Sequence, residues 1–149
     1  MRSFFKQIYP ATLGQTLVEI MVVIGVIAIL TTGLVVLTTF SIKNSRISAL
    51  RSQAVKYAAQ GMEYVRQKRD AGWTDFQALG GQTWCLGDNG AWVPVNPICL
   101  ENVSNLFGRT IEFTWDEANH RMAVTVTVDW NEGAEYYETH LNSYFTQWQ

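Results

Sequence analysis

From Ile20 to Phe40 the chain carries no charged side chain and no proline. Apolarity there is continuous rather than striped. As a helix these 21 residues would be roughly 31 Å long, about the thickness of a bilayer's hydrocarbon core. Beyond Phe40 the pattern changes to a stripe: Ile47, Leu50, Ala54, Ala58, Gly61, Met62 and Val65 recur at three- and four-residue spacing. That spacing places them on one helix face, with polar and basic residues filling the other positions. The pattern predicts one helix, or two in line, from Leu17 to about Ala71, stopped by the glycine of "AGW" at Ala71–Trp73. Thr31-Thr32-Gly33 is its weakest helical stretch, since glycine costs about 1 kcal/mol relative to alanine.

The last third alternates with a period of two. In "RTIEFTW", Ile111, Phe113 and Trp115 alternate with Thr110, Glu112 and Thr114. In "MAVTVTVDW", Met122, Val124, Val126, Val128 and Trp130 alternate with Thr125, Thr127 and Asp129. "EYYETHL" repeats the pattern more weakly through Tyr137 and Leu141, and "DEANH" and "NEG" supply the turns. Three strands with short links make an antiparallel meander, whose apolar face needs a cover; the Ile47–Val65 stripe can provide it. The aromatic end, "NSYFTQW", is expected to pack down as well. Between helix and strands, "GDNG" at Gly87–Gly90 separates "TWCL" from "AWVPV" and reads as a hairpin or compact loop. Asp88 and Asn89 are turn residues there rather than calcium ligands, because a calcium site needs six or more oxygens. The fold class is therefore α+β: a long N-terminal helix, first transmembrane and then amphipathic, packed on a small antiparallel β-meander.

Charge divides the chain further. Lys43 to Arg69 holds seven basic residues against Glu63 alone, whereas Asp70 to the C-terminus holds two basic residues against eleven acidic ones. The acidic part disfavours general nucleic-acid binding, and the basic segment reads as the solvated face of a helix whose charges meet the acidic domain of a neighbour. A cleaved secretory signal fits poorly: the apolar run is too long for an h-region, and no A-x-A-like site follows it. Cys85 and Cys99 lie in the acidic part; export would favour a disulfide between them, and two buried thiols are the alternative. No metal site is expected, since His120 and His140 stand alone, and no catalytic set or phosphate loop stands out. The six tryptophans suit core packing, Trp115 and Trp130 above all, with a sugar-binding platform as the other use of such residues.

One carboxylate interrupts the apolar run near its start. Thr16-Leu17-Val18-Glu19 has the spacing of a capping box, and the glutamate also suits the positive end of the helix dipole. A short basic leader (Arg2, Lys6), Gly14, Thr16, Glu19 and a long apolar helix together resemble the N-terminus of type IV pilins and pseudopilins. The likeness is specific from Gly14 to about Leu30 and architectural beyond. It implies a leader of residues 1–14, a transmembrane and assembly helix over 15–40, an amphipathic helix over 41–72 and a globular β domain over 73–149. It further implies that a prepilin peptidase cuts between Gly14 and Gln15 and methylates the amine of Gln15. Thr16 and Glu19 would then serve assembly, with Glu19 pairing to the free amine of a neighbouring subunit. Gln15 departs from the usual phenylalanine or methionine, and the proline that often kinks the family's helix is missing.

The resemblance implies a structural subunit, a minor pilin or pseudopilin, rather than an enzyme, and no cofactor. Its partners would be prepilin peptidase, other pilin subunits, a platform and assembly ATPase, and the membrane. It also implies a single-pass cytoplasmic-membrane protein with an extracytoplasmic C-terminal domain, extracellular once in a filament. A positive-inside count, with Lys43, Arg46, Arg51 and Lys56 after the span against Arg2 and Lys6 before it, points the other way. The leader and the cysteine pair take precedence. The competing class is a bitopic, membrane-anchored binding module, carbohydrate-binding through its tryptophans, that does not polymerise.

Overall fold

The computed structural model describes residues 13–95, 99 and 102–147, with side chains described for all of these but 13–15 and 102. Residues 1–12, most of the segment expected as a leader over 1–14, and Trp148 lie outside the described residues. Helix α1, Leu13–Ala71, belongs to two compact units, residues 1–45 and 46–149, which are taken in turn.

In the first unit every described side chain from Thr16 to Ser45 is exposed, including the large apolar ones from Leu17 to Phe40. The Thr31-Thr32-Gly33 stretch is helical, not loosened. Its threonines fold their hydroxyls back on the helix: Thr31 donates to the Ile27 carbonyl at 2.9 Å and Thr32 to that of Ala28 at 2.8 Å. Thr38 and Thr39 do the same to the Val35 carbonyl, both at 2.9 Å. A hydroxyl in hydrocarbon finds its acceptor within the helix, so these polar side chains remain compatible with an apolar surrounding. Among the described residues this is the one helix long and apolar enough to cross a bilayer.

The second unit sets the C-terminal part of α1 against a sheet. Strands β1 (Thr83–Leu86), β2 (Trp92–Pro94), β3 (Asn102–Val103), β4 (Phe107–Asp116), β5 (Arg121–Glu132) and β6 (Glu135–Phe145) are antiparallel, in the order β2-β1-β4-β5-β6. β3 pairs with β4 through Val103 and Phe107, on the edge that β1 occupies further along. The expected meander is β4-β5-β6. The "TWCL" and "AWVPV" hairpin extends it, because Cys85 pairs with Thr110 and carries β1 onto the edge of β4.

Alternation sets the core. Phe107, Ile111 and Phe113 of β4 and Met122, Val124, Val126, Val128 and Trp130 of β5 are buried against Leu50, Ala54, Ala58, Met62 and Val65 of α1. Each large apolar side chain so buried contributes about 1.5–3 kcal/mol. Gly61 is what lets helix and sheet approach: a Cβ there would stand 3.0 Å from both Arg109 Cδ and Val126 Cγ1. Three sequence expectations change. Ile47 begins the stripe but is only half-buried. Leu141 faces inward opposite Val126, yet it sits on the outermost strand and stays 36% exposed. Trp115 packs against the core and on Trp73 but is only half-buried, because β4 ends beside it, whereas Trp130 is fully enclosed. At the C-terminal end Phe145 packs down, and Tyr144 stays outside beneath the Arg121 guanidinium.

Candidate functional site

The first candidate is the start of α1. Gly14 and Gln15 lie within its first turn by backbone, and their side chains are outside the description. Residues 13–15 are already helical, so Thr16 is inside the helix rather than at an N-cap, and Glu19 follows within it. The capping-box geometry therefore does not occur here. A capping box needs its threonine in the half-in position before the first helical residue, and three more helical residues precede this one. Glu19 is instead an exposed carboxylate among exposed apolar neighbours: Leu17 and Val18 on one side, Ile20 and Met21 on the other.

The second candidate is the loop closed by the cysteines. Cys85 and Cys99 form a disulfide, with Cα atoms 5.3 Å apart and a sequence separation of 14. Thr110 Oγ1 lies 3.3 Å from Cys99 Sγ, against the strand that β1 pairs with. Gly87–Gly90 is the turn that the sequence indicates. The Gly90 N–H donates to the Gly87 carbonyl at 3.1 Å, and the Ala91 N–H to Asn89 Oδ1 at 3.0 Å. Asp88 ties the turn to β3 by accepting from the Ser104 N–H at 2.8 Å. Gly90 has φ +75°, and a Cβ on it would meet the Tyr64 ring at 2.9 Å, so glycine is required there twice over.

No protein-family model matches the chain, and neither a curated protein nor a solved structure matches it. One long apolar helix near the N-terminus suggests a membrane anchor, and the disulfide suggests an oxidising, extracytoplasmic setting for the domain that carries it.

Sequence reasoning passed over the residue that joins this loop to the helix. Arg109 is fully buried. Its Nε donates to the Leu86 carbonyl at 3.1 Å and its Nη2 to that of Gly87 at 2.7 Å. From the other side, Nη1 reaches the Tyr57 carbonyl at 3.1 Å and Gln60 Oε1 at 3.3 Å, both on α1. The guanidinium also lies 5.8 Å from the centre of the Tyr64 ring. Burial pushes its pKa down, and Asp88, Tyr64 and Tyr57 oppose the shift. The signal was in the alternation: Arg109 shares the parity of Ile111 and Phe113, so "RTIEFTW" puts a guanidinium on the core face.

The basic face of α1 finds partners within this unit. Arg46 meets Glu132 at 3.0 Å, Arg66 meets Glu63 at 2.9 Å and Arg69 meets Asp70 at 2.7 Å. All three involve an exposed group, so each contributes at most about 1 kcal/mol. Asp116 is held below the usual carboxylate range by hydrogen bonds from Asn119 and Arg121. It organises the β4–β5 turn, whose end, His120, has a left-handed backbone at φ 47°.

Proposed function

We propose that this chain is a type IV pilin-like structural subunit, a minor pilin or pseudopilin, anchored by its N-terminal helix and assembled through it. The observation that carries the reading is Glu19: a carboxylate exposed on a helix whose neighbouring side chains are exposed and apolar, five residues past Gly14. A lone ionised group in hydrocarbon costs at least about 2.5 kcal/mol, so a protein keeps one there for a partner. The resemblance supplies that partner. Cleavage by a prepilin peptidase between Gly14 and Gln15 frees an amine, and the amine of one subunit meets Glu19 of the next. Paired, the two charges neutralise one another and fix the axial register of packed helices; unpaired, each opposes burial.

The helix serves both states of such a subunit. All-round apolarity lets it sit in lipid before assembly and against other helices afterwards. The threonine hydroxyls, satisfied internally, favour neither state. The domain from Arg46 onward then rides outside the membrane, held by its disulfide and by Arg109. No catalytic role is assigned to it.

Glu19→Leu tests the assembly step. With the cognate assembly machinery present, the variant is expected to fractionate with membranes like the parent and to yield few or no filaments by electron microscopy. Mass spectrometry of the mature parent is expected to begin at Gln15. Filaments of normal number and length from Glu19→Leu would overturn the proposed pairing. A mature chain that still begins at Met1 would favour the non-polymerising anchor.

A further inference from the structure

We infer that the second unit carries a binding site for a neutral oligosaccharide, in the cleft between Trp73 and Trp115. Several local elements converge there. Gly72 ends α1 and starts α2, Trp73–Gln77, so Trp73 and Gln77 stand one turn apart on the same side of a short helix. β4 delivers Trp115 at its end, and the turn after it delivers His120. Thr146 and Gln147 follow β6 and close the cleft, whose volume is about 450 Å³. A second cleft of about 570 Å³ adjoins it, sharing Trp73 and Gln147 and adding Arg69 and Asp70. Both volumes fall in the range of about 300–1,000 Å³ that holds small ligands.

The chemistry of the lining selects the ligand. The two indoles lie 6.3 Å apart at 63°, forming a corner rather than a parallel stack. Each is only half-buried, so a face or edge remains to be covered. Neither ring is loose: Trp73 packs on Phe76 at 5.7 Å, and the Trp115 Nε1–H donates to the Glu117 carboxylate. Fixed aromatic surfaces cost little entropy on binding. A pyranose ring fits such a corner, because its C–H face is apolar while its rim carries hydroxyls. The amides of Gln77 and Gln147, the Thr146 hydroxyl and the His120 imidazole can each donate to or accept from that rim. Arg69 and Asp70 are bonded to one another at 2.7 Å, which offsets their charges and removes the incentive for an ionic ligand. A polyproline segment also docks on aromatic surfaces, but it uses grooves and offers few groups for four polar side chains.

The inference is independent of filament assembly, and its test uses unassembled full-length protein. The chain is held in phosphatidylcholine nanodiscs, which avoids sugar-based detergents. It is titrated with chitotriose, cellotriose, maltotriose and a proline-rich decapeptide, followed by indole fluorescence and calorimetry. At least one saccharide is expected to bind saturably with a Kd of about 1 mM or tighter. Trp73→Ala is expected to weaken it at least about tenfold, the loss of one stacking contact. Gln77 is exposed, so Gln77→Ala keeps the test valid if Trp73→Ala unfolds; it is expected to weaken binding by about three- to tenfold with unchanged near-ultraviolet circular dichroism. Tyr136→Ala, on the exposed face of β6, is expected to bind as the parent does. The proposal fails if no saccharide saturates. It fails equally if binding survives Gln77→Ala and any folded Trp73→Ala unchanged, or if the peptide alone binds.

Discussion

Replacing Arg109 tests whether one buried cation holds the disulfide loop to the helix. Arg109→Met keeps most of the stem and removes the fork. Four acceptors then lose a donor: the carbonyls of Leu86, Gly87 and Tyr57, and Gln60 Oε1. Hydrogen bonds from a charged donor are worth about 1.5–3 kcal/mol each, but the sum overstates the loss. Gly87 keeps its bond from the Gly90 N–H, and methionine is spared the desolvation that lowers the arginine's pKa. Net destabilisation of about 2 kcal/mol is expected for methionine, and about 4 kcal/mol for alanine, which also leaves a cavity. Lysine is expected to resemble methionine, since a point charge cannot reach acceptors on two sides.

The assay is thermal unfolding of the full chain in detergent, followed in the near-ultraviolet bands of the packed aromatics. Tyr57 and Trp130 both lie within 6 Å of Phe107, so these bands report the helix–sheet contact. For a unit of roughly 100 residues, 2 kcal/mol corresponds to a fall in Tm of about 8–16 °C. A double-mutant cycle adds a sharper condition. Removing the disulfide with Cys85→Ser and Cys99→Ser is expected to cost about 3 kcal/mol for a loop of this length. Leu86 and Gly87 directly follow Cys85, so the two perturbations share a target and should fall short of additivity by at least about 0.5 kcal/mol. An Arg109→Met protein within about 0.5 kcal/mol of the parent, or strict additivity with disulfide loss, would refute the latch.

Gly61→Val is expected to destabilise the second unit by about 1–3 kcal/mol, read as a lower denaturant midpoint, because its Cβ would already stand 3.0 Å from both Arg109 of β4 and Val126 of β5. An unchanged midpoint would mean that helix and sheet separate at little cost. Burial, with Glu138 nearby, raises the Asp129 pKa above 3.8, so the folded state holds this proton more tightly than the unfolded chain does. The contribution is favourable below the unfolded value and is lost as pH rises through the folded one, leaving charged Asp129 a net cost at neutral pH. Asp129→Asn is therefore expected to raise Tm near neutral pH, with the gain vanishing as pH falls below 3.8; a constant or reversed difference would contradict the sign.

The parts of the fold that could be read from sequence are those where period alone decides. β4 and β5 alternate without interruption, and each inward position expected up to Phe113 and Trp130 is buried. The stripe on α1 was legible for the same reason, from Leu50 to Val65. Ends were less legible. Trp115 fits the alternation, yet its burial depends on which element lies beyond the end of the sheet, and that element, α2, has only five residues. Position along a strand does not tell whether a neighbour covers it, and Leu141 on the edge strand β6 stays exposed for the same reason. The inward position of Arg109 is legible from its parity with Ile111 and Phe113. Its charge pulls the other way, since it is one of two cations in an acidic domain and a cation is ordinarily a surface residue.

Charge in an apolar setting links the two ends of the chain. Arg109 meets acceptors from α1 on one side and from the loop after β1 on the other, so a residue that would otherwise be costly to bury couples elements distant in sequence. The solution is complete within one molecule. Glu19 is the opposite case under the proposed function. It stands exposed among Val18, Ile20 and Met21, where neither lipid nor a packed apolar helix can stabilise it, and the complementary charge arrives with a second subunit. An internally satisfied cation favours folding of the single chain; an externally satisfied anion favours association of many. The two substitutions should therefore separate cleanly: Arg109→Met lowers Tm, whereas Glu19→Leu leaves Tm unchanged and removes assembly. A Glu19→Leu protein that unfolds early would place that carboxylate in the fold rather than in the filament.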